Sequence, residues 1–136
     1  MNMRGFGATQ RYERMNTTHE VETASPHRLI QLMMERALTK ISMARSHMQR
    51  DEVREKGDLI GDAISIINGL QASLNKKADS DMPANFDALY DYMMRRLVDA
   101  NLHNESETLD EVSGLLLELK EAWDAIADTA DSAESR

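Results

Sequence analysis

V-E-T-A-S-P-H-R-L-I, Val21 to Ile30, is the stretch whose reading decides the fold. Ser25 offers a side-chain oxygen to an orphan amide of a first helical turn, and Pro26 stands at the first helical position, where its missing N–H costs nothing. Downstream, Ile30, Met34, Ala37, Leu38, Ile41, Ala44 and Met48 recur at spacings of three and four, one continuous apolar stripe. Leu29 and Met33 lie beside it and widen it. A long amphipathic helix therefore starts after Ser25 and runs to a polar break at Gln49–Asp51.

The same period continues through the chain. Val53, Ile60, Ala63, Ile64, Ile67, Leu70 and Leu74 predict a second helix to about Lys77, weakened locally by Gly57, Gly61 and Gly69, each by about 1 kcal/mol relative to alanine. Asn75–Met82 is a polar connection, and Pro83 opens a third helix. Its main stripe is Phe86, Leu89, Tyr90, Met93, Leu97 and Ala100, with Met94 and Val98 alongside. A fourth helix opens at Ser106 or Thr108, the latter with Glu111 at capping-box spacing, and continues on Leu109, Val112, Leu115, Leu116, Leu119, Ala122, Trp123 and Ile126. Residues 1–20 lack periodicity and predict a mobile segment with a loop or short helix around Tyr12; residues 21–127 form the bundle. The acidic end, 128–136, has no large apolar residue and is expected to fray. Four helices, each about 30–37 Å long, predict an all-α, antiparallel up-and-down four-helix bundle with a short extra N-terminal segment.

Composition narrows the function. With 136 residues the chain is one domain, large enough to bury its own core. It has no cysteine, which excludes disulfides, thiol nucleophiles and thiolate metal sites. No apolar run approaches the roughly 20 residues of a membrane span, and the N-terminus lacks a secretory signal, so a cytoplasmic protein is expected, with no membrane insertion. A formal charge of −8 repels nucleic acid. None of the four histidines follows a glutamate by three residues, as a di-iron bundle requires, and no phosphate loop or nucleophile elbow appears. Neither an enzyme, nor a metal, nor a cofactor is expected.

A binding or structural role remains. Both prolines fall at helix starts, aromatics number six, and methionines number ten; flexible, polarisable methionines suit a surface that adapts to apolar partners. The first and third helices carry more apolar surface than a bundle stripe needs, through Leu29 and Met33 on one and Tyr92 and Met94 on the other. Such surplus marks a partner site, or is covered by a fifth element such as the segment carrying Phe6 and Tyr12.

Tyr12, Val21, the T-A-S-P run of Thr23–Pro26, A-L-Y-D-Y-M-x-R-R-L from Ala88 to Leu97, Ala100 with Asn101, L-x-E-V-x-x-L-L from Leu109 to Leu116, and Ala122-Trp123 together resemble the flagellin export chaperone family, FliS. The resemblance spans about Tyr12 to about Ala127. It departs at M-M-E-R-A, Met33–Ala37, where many members carry L-(Y/F)-D-G-A, so that Met34 and Arg36 replace an aromatic and a small residue. The resemblance implies an antiparallel bundle that binds the disordered C-terminal segment of flagellin partly as helices in apolar grooves, prevents premature polymerisation, and assists secretion without ATP, with an export-gate component as a further partner. Tyr12 is then a lid or anchor, Leu29, Met33 and Met34 form one groove wall, and Tyr90 and Met93 another. The other reading of the surplus faces is a self-associating structural or adaptor protein; the free chain is expected to be a monomer or weak homodimer.

Overall fold

The computed structural model describes residues 24–74 and 82–134, with side chains at 24–74 and 85–126. Four helices follow one another: α1 Pro26–Gln49, α2 Val53–Leu74, α3 Met82–His103 and α4 Ser106–Glu134. Each packs on its neighbour in sequence, and α4 closes the ring against α1. Cross-helix bonds show that neighbours run antiparallel. Gln31 and Arg45 of α1 reach Asp124 and Asp110 of α4, and Gln71 and Lys56 of α2 reach Asp91 and Asn104 of α3. The all-α antiparallel bundle predicted from periodicity is the observed architecture.

The helix ends have local causes. Ser25 accepts from the Arg28 amide at 3.1 Å, and Pro26 begins α1. At the other end Asp51 takes a left-handed φ of 57°, the Asp51 amide bonds to Met48 O, and the Glu52 amide bonds to His47 O. This is the Schellman arrangement, with an aspartate where glycine is usual. α3 stops in the same way: Asn104 has φ 55° and the Glu105 amide reaches Ala100 O. There a third group joins in. Lys56, only 4% exposed, donates to Asn101 O at 3.0 Å and to Asn104 Oδ1 at 3.2 Å, so a buried ammonium sits on the negative end of α3.

Three local readings are corrected. Thr108 does not form a capping box with Glu111: α4 starts at Ser106, Thr108 is buried, and its hydroxyl donates to Glu105 Oε2. Glu111 is taken by α3 instead, accepting from Arg96 Nε and from the Tyr92 hydroxyl, both at 2.8 Å. A two-point bond to another helix outcompetes a local cap, and Tyr92 is thereby a polar clasp rather than surplus apolar surface. At the far end α4 runs through the acidic stretch to Glu134, whereas the sequence pattern ends it near residue 127; alanine, aspartate and glutamate there lack core-forming bulk yet tolerate helix. The segment 1–23, with Phe6 and Tyr12, lies outside the described residues.

The core is continuous along the bundle axis. Met34, Ala37 and Ile41 of α1, Ile60, Ala63 and Ile67 of α2, Tyr90, Met93 and Leu97 of α3, and Leu109, Val112 and Leu116 of α4 are all buried. Small and large alternate, so that Ala37, Ala44, Ala63 and Ala100 admit the neighbouring bulk. Val53, expected in the stripe of α2, is instead 68% exposed, because the first residue of the helix overhangs the end of the core. Gly114 has open space where a Cβ would stand; Gly114→Ala should raise stability by about 0.4–1 kcal/mol, read as a higher denaturant midpoint at constant slope.

Ion pairs clasp the seams: Arg96–Glu111 for α3–α4, Arg45–Asp110 for α1–α4, and Arg50–Glu52 at the α1–α2 turn. The Arg96 guanidinium and then the Tyr92 hydroxyl hold the Glu111 carboxyl below its usual range. Lys120 does the same for Asp124, and Arg50 with His47 for Glu52. Lowered carboxylates stabilise fully above their ordinary range and lose that contribution as the pH falls through it and through the lowered values. Melting temperature should therefore hold from neutrality to about pH 5 and decline below; in Glu111→Gln the acid decline should be shallower.

Candidate partner-binding surface

The six residues predicted to meet a partner separate into three groups. Met34, Tyr90 and Met93 are interior, at 0%, 2% and 0% exposure, and this corrects their reading as groove walls. Met34 sits mid-stripe with Ala37 and Ile41, and Tyr90 and Met93 share the inward face of α3 with Leu97, so helical phase turns them toward the axis. Phe86 meets Tyr90 edge-on at 6.5 Å, and burial pushes the Tyr90 phenol up to about 12. These three shape the bundle from beneath and offer no surface. Tyr12 lies outside the described residues.

Leu29 and Met33 are placed differently. Leu29 is 37% exposed, and Met33 is half-buried on the edge of α1 that borders α2, where a Cβ on Gly69 would come within 3.1 Å of its Cε. Gly69 is thus the seat that lets this methionine lie across the seam. Met43, 45% exposed, stands two heptads from Leu29 and belongs to the same edge. It was not singled out from sequence, although its spacing of 14 from Leu29 was the available signal. Between them Arg36 is exposed and makes no ion pair among the described residues, while Lys40 pairs with Asp62 at 3.2 Å. The edge is an apolar strip of two methionines and a leucine with one uncommitted cation.

The start of α1, beside this strip, is anchored to α4. Trp123 donates its indole N–H to His27 O at 3.0 Å, and the two rings lie 4.9 Å apart. Gln31 donates to Asp124, which also accepts from Lys120. Leu29 is therefore presented from a fixed turn. Among the described residues the remaining exposed large apolar side chains are Val53, Val98, Leu102 and Leu117.

One cluster has metal-ligand character. His47, Glu52 and Glu55 bring ligand atoms within 4.8 Å of one another. Glu52 is already bonded to Arg50 at 2.5 Å and to His47 Nδ1 at 3.0 Å, so the grouping is accounted for as the lock of the α1–α2 turn. No helix among the described residues is long and apolar enough to cross a membrane.

Comparison with known proteins agrees with the geometry. The family model described as flagellar protein FliS matches residues 8–130. Flagellar secretion chaperone FliSB of Pseudomonas aeruginosa is 45% identical over 125 residues, 92% of this chain and 99% of that protein. Flagellar secretion chaperone FliS of Salmonella typhimurium is 39% identical over 126 residues, 92% and 93% of the two chains, and that of Bacillus subtilis 33% identical over 105 residues, 77% of each. With its predicted bundle, its helix-start device and its α3 motif all in place, the chain belongs to the FliS family.

Proposed function

We propose that this chain is a cytoplasmic flagellar secretion chaperone that binds the C-terminal segment of flagellin, keeps it from polymerising early, and assists its export. The observation that carries the reading is the 45% identity to a flagellar secretion chaperone across 92% of the chain. The apolar edge of α1 supports it. An amphipathic helix laid beside Leu29, Met33 and Met43 buries its assembly face in helix-in-groove fashion, and Arg36 is free to meet an acidic residue on its rim. Ordering a disordered segment costs some 2–5 kcal/mol or more, which favours a long apolar contact over a few polar ones. Tyr12, from the N-terminal segment, is proposed as the lid or anchor over that edge. The role needs no ATP and no catalytic group, and an export-gate component is the next partner in the path.

Polymerisation tests the consequence. Seeded growth of flagellin filaments should stop when the chain is added at equal concentration, and should resume with flagellin in excess. Unchanged filament growth at equal concentration would contradict the proposal.

A further inference from the structure

Leu29, Met33, Arg36, Lys40 and Met43 recur at alternating spacings of four and three, so they form one line along the edge of α1 that borders α2. Its apolar members are exposed or half-buried, and its two cations differ. Lys40 is held by Asp62 at 3.2 Å, and Met33 reaches the seat at Gly69. These two contacts fix the antiparallel register of α1 on α2, and in that register Arg36 stands level with Ile66. Ile66 is half-buried against the core, and the acid one turn away on α2, Asp62, is already taken. Arg36 has no ion pair among the described residues, whereas Arg28, Arg45, Arg50, Arg96 and Lys120 each have one. A bare guanidinium thus interrupts an apolar line at its midpoint, seven residues from Leu29 and seven from Met43.

We propose that Arg36 selects the client and sets its register: the flagellin segment on this edge is a helix whose apolar face is bordered by an aspartate or glutamate, with one apolar residue a heptad before it and another a heptad after. The inference rests on the chaperone reading above. An all-apolar helix laid on the line would cover the guanidinium without supplying an acceptor, and taking an unpaired charge out of water is costly. A carboxylate at that level turns the penalty into a charge-assisted hydrogen-bonded pair. The long arginine stem rests on the apolar wall while its head reaches the rim of the contact. A client slipped by a turn parts the pair, so one charge fixes a register that leucine and adaptable methionine leave loose. Because Arg36 stands midway, the pattern reads the same whether the client runs parallel or antiparallel to α1. The chain's charge of −8 repels acids placed elsewhere on the client, which sharpens the choice.

Calorimetric titration of the full chain against flagellin tests this. Arg36→Glu should weaken binding by about tenfold or more while its melt stays that of the parent. Each Asp and Glu of the flagellin C-terminal segment is then replaced singly by Lys. One of these flagellins should bind the parent more weakly and restore binding to Arg36→Glu, and its substituted residue should have apolar residues a heptad away on both sides. Parental binding that Arg36→Glu leaves intact, no rescue by any of the flagellins, or rescue at an acid without those apolar neighbours would each overturn the proposal and leave the chaperone reading standing. A parent that binds no flagellin would overturn both. A lower melt for Arg36→Gln would show the guanidinium already used within the chain, and the proposal would fall.

Discussion

Tyr90→Ala should lose about 3–5 kcal/mol of stability, the range for removing a buried aromatic. Tyr90 is 2% exposed, its ring packs against Phe86, and its neighbours Met93 and Leu97 are fully buried. The cavity would open at the centre of α3, where the helices on either side cannot collapse without breaking the Arg96–Glu111 and Gln71–Asp91 bonds. Urea unfolding should show a much lower midpoint. Flagellin binding per folded molecule should be unchanged, because the residue supports the surface without being part of it. If Tyr90→Ala keeps parental stability but loses binding, the side chain is a contact and its interior placement is wrong.

The opposite pattern is expected on the α1 edge. Leu29→Glu combined with Met43→Glu should leave the melt nearly unchanged, since exposed positions usually move stability by no more than about 0.5 kcal/mol each. Flagellin binding should fall by about 2 kcal/mol or more, roughly 30-fold, the scale of an interface hot spot. Calorimetric titration and thermal melting on the same protein separate the two effects. Tyr12→Ala belongs to the same class: stability lower by about 1 kcal/mol, an ordinary point-substitution effect, with a larger proportional loss of binding. A melt that falls in step with binding would make Tyr12 a core residue; intact binding would remove the lid.

How far the sequence reached differs between fold and site, for a physical reason. Helix starts and phase are local: Ser25-Pro26 caps within one turn, and the Ile30–Met48 stripe points one way whatever surrounds it. The bundle was accordingly legible from the chain alone. Which flank of a helix stays open depends on partners distant in sequence. Tyr92 reads as spare apolar surface until Glu111 arrives from α4, and Met33 reads only as a flank of the stripe until Gly69 offers it a seat across the seam. Helical phase already sets Met34 and Met93 in the stripes and Leu29 and Met43 outside them, and the structure places them so.

The proposed function requires the chain to recognise the C-terminal segment of flagellin through an apolar interface. Its most direct test is a pair of calorimetric titrations, one with flagellin retaining that segment and one with flagellin lacking it, each repeated at several temperatures. Saturation at one flagellin per chain with a negative heat-capacity change is expected for the first, and no heat of binding for the second. Equal binding of both would contradict it.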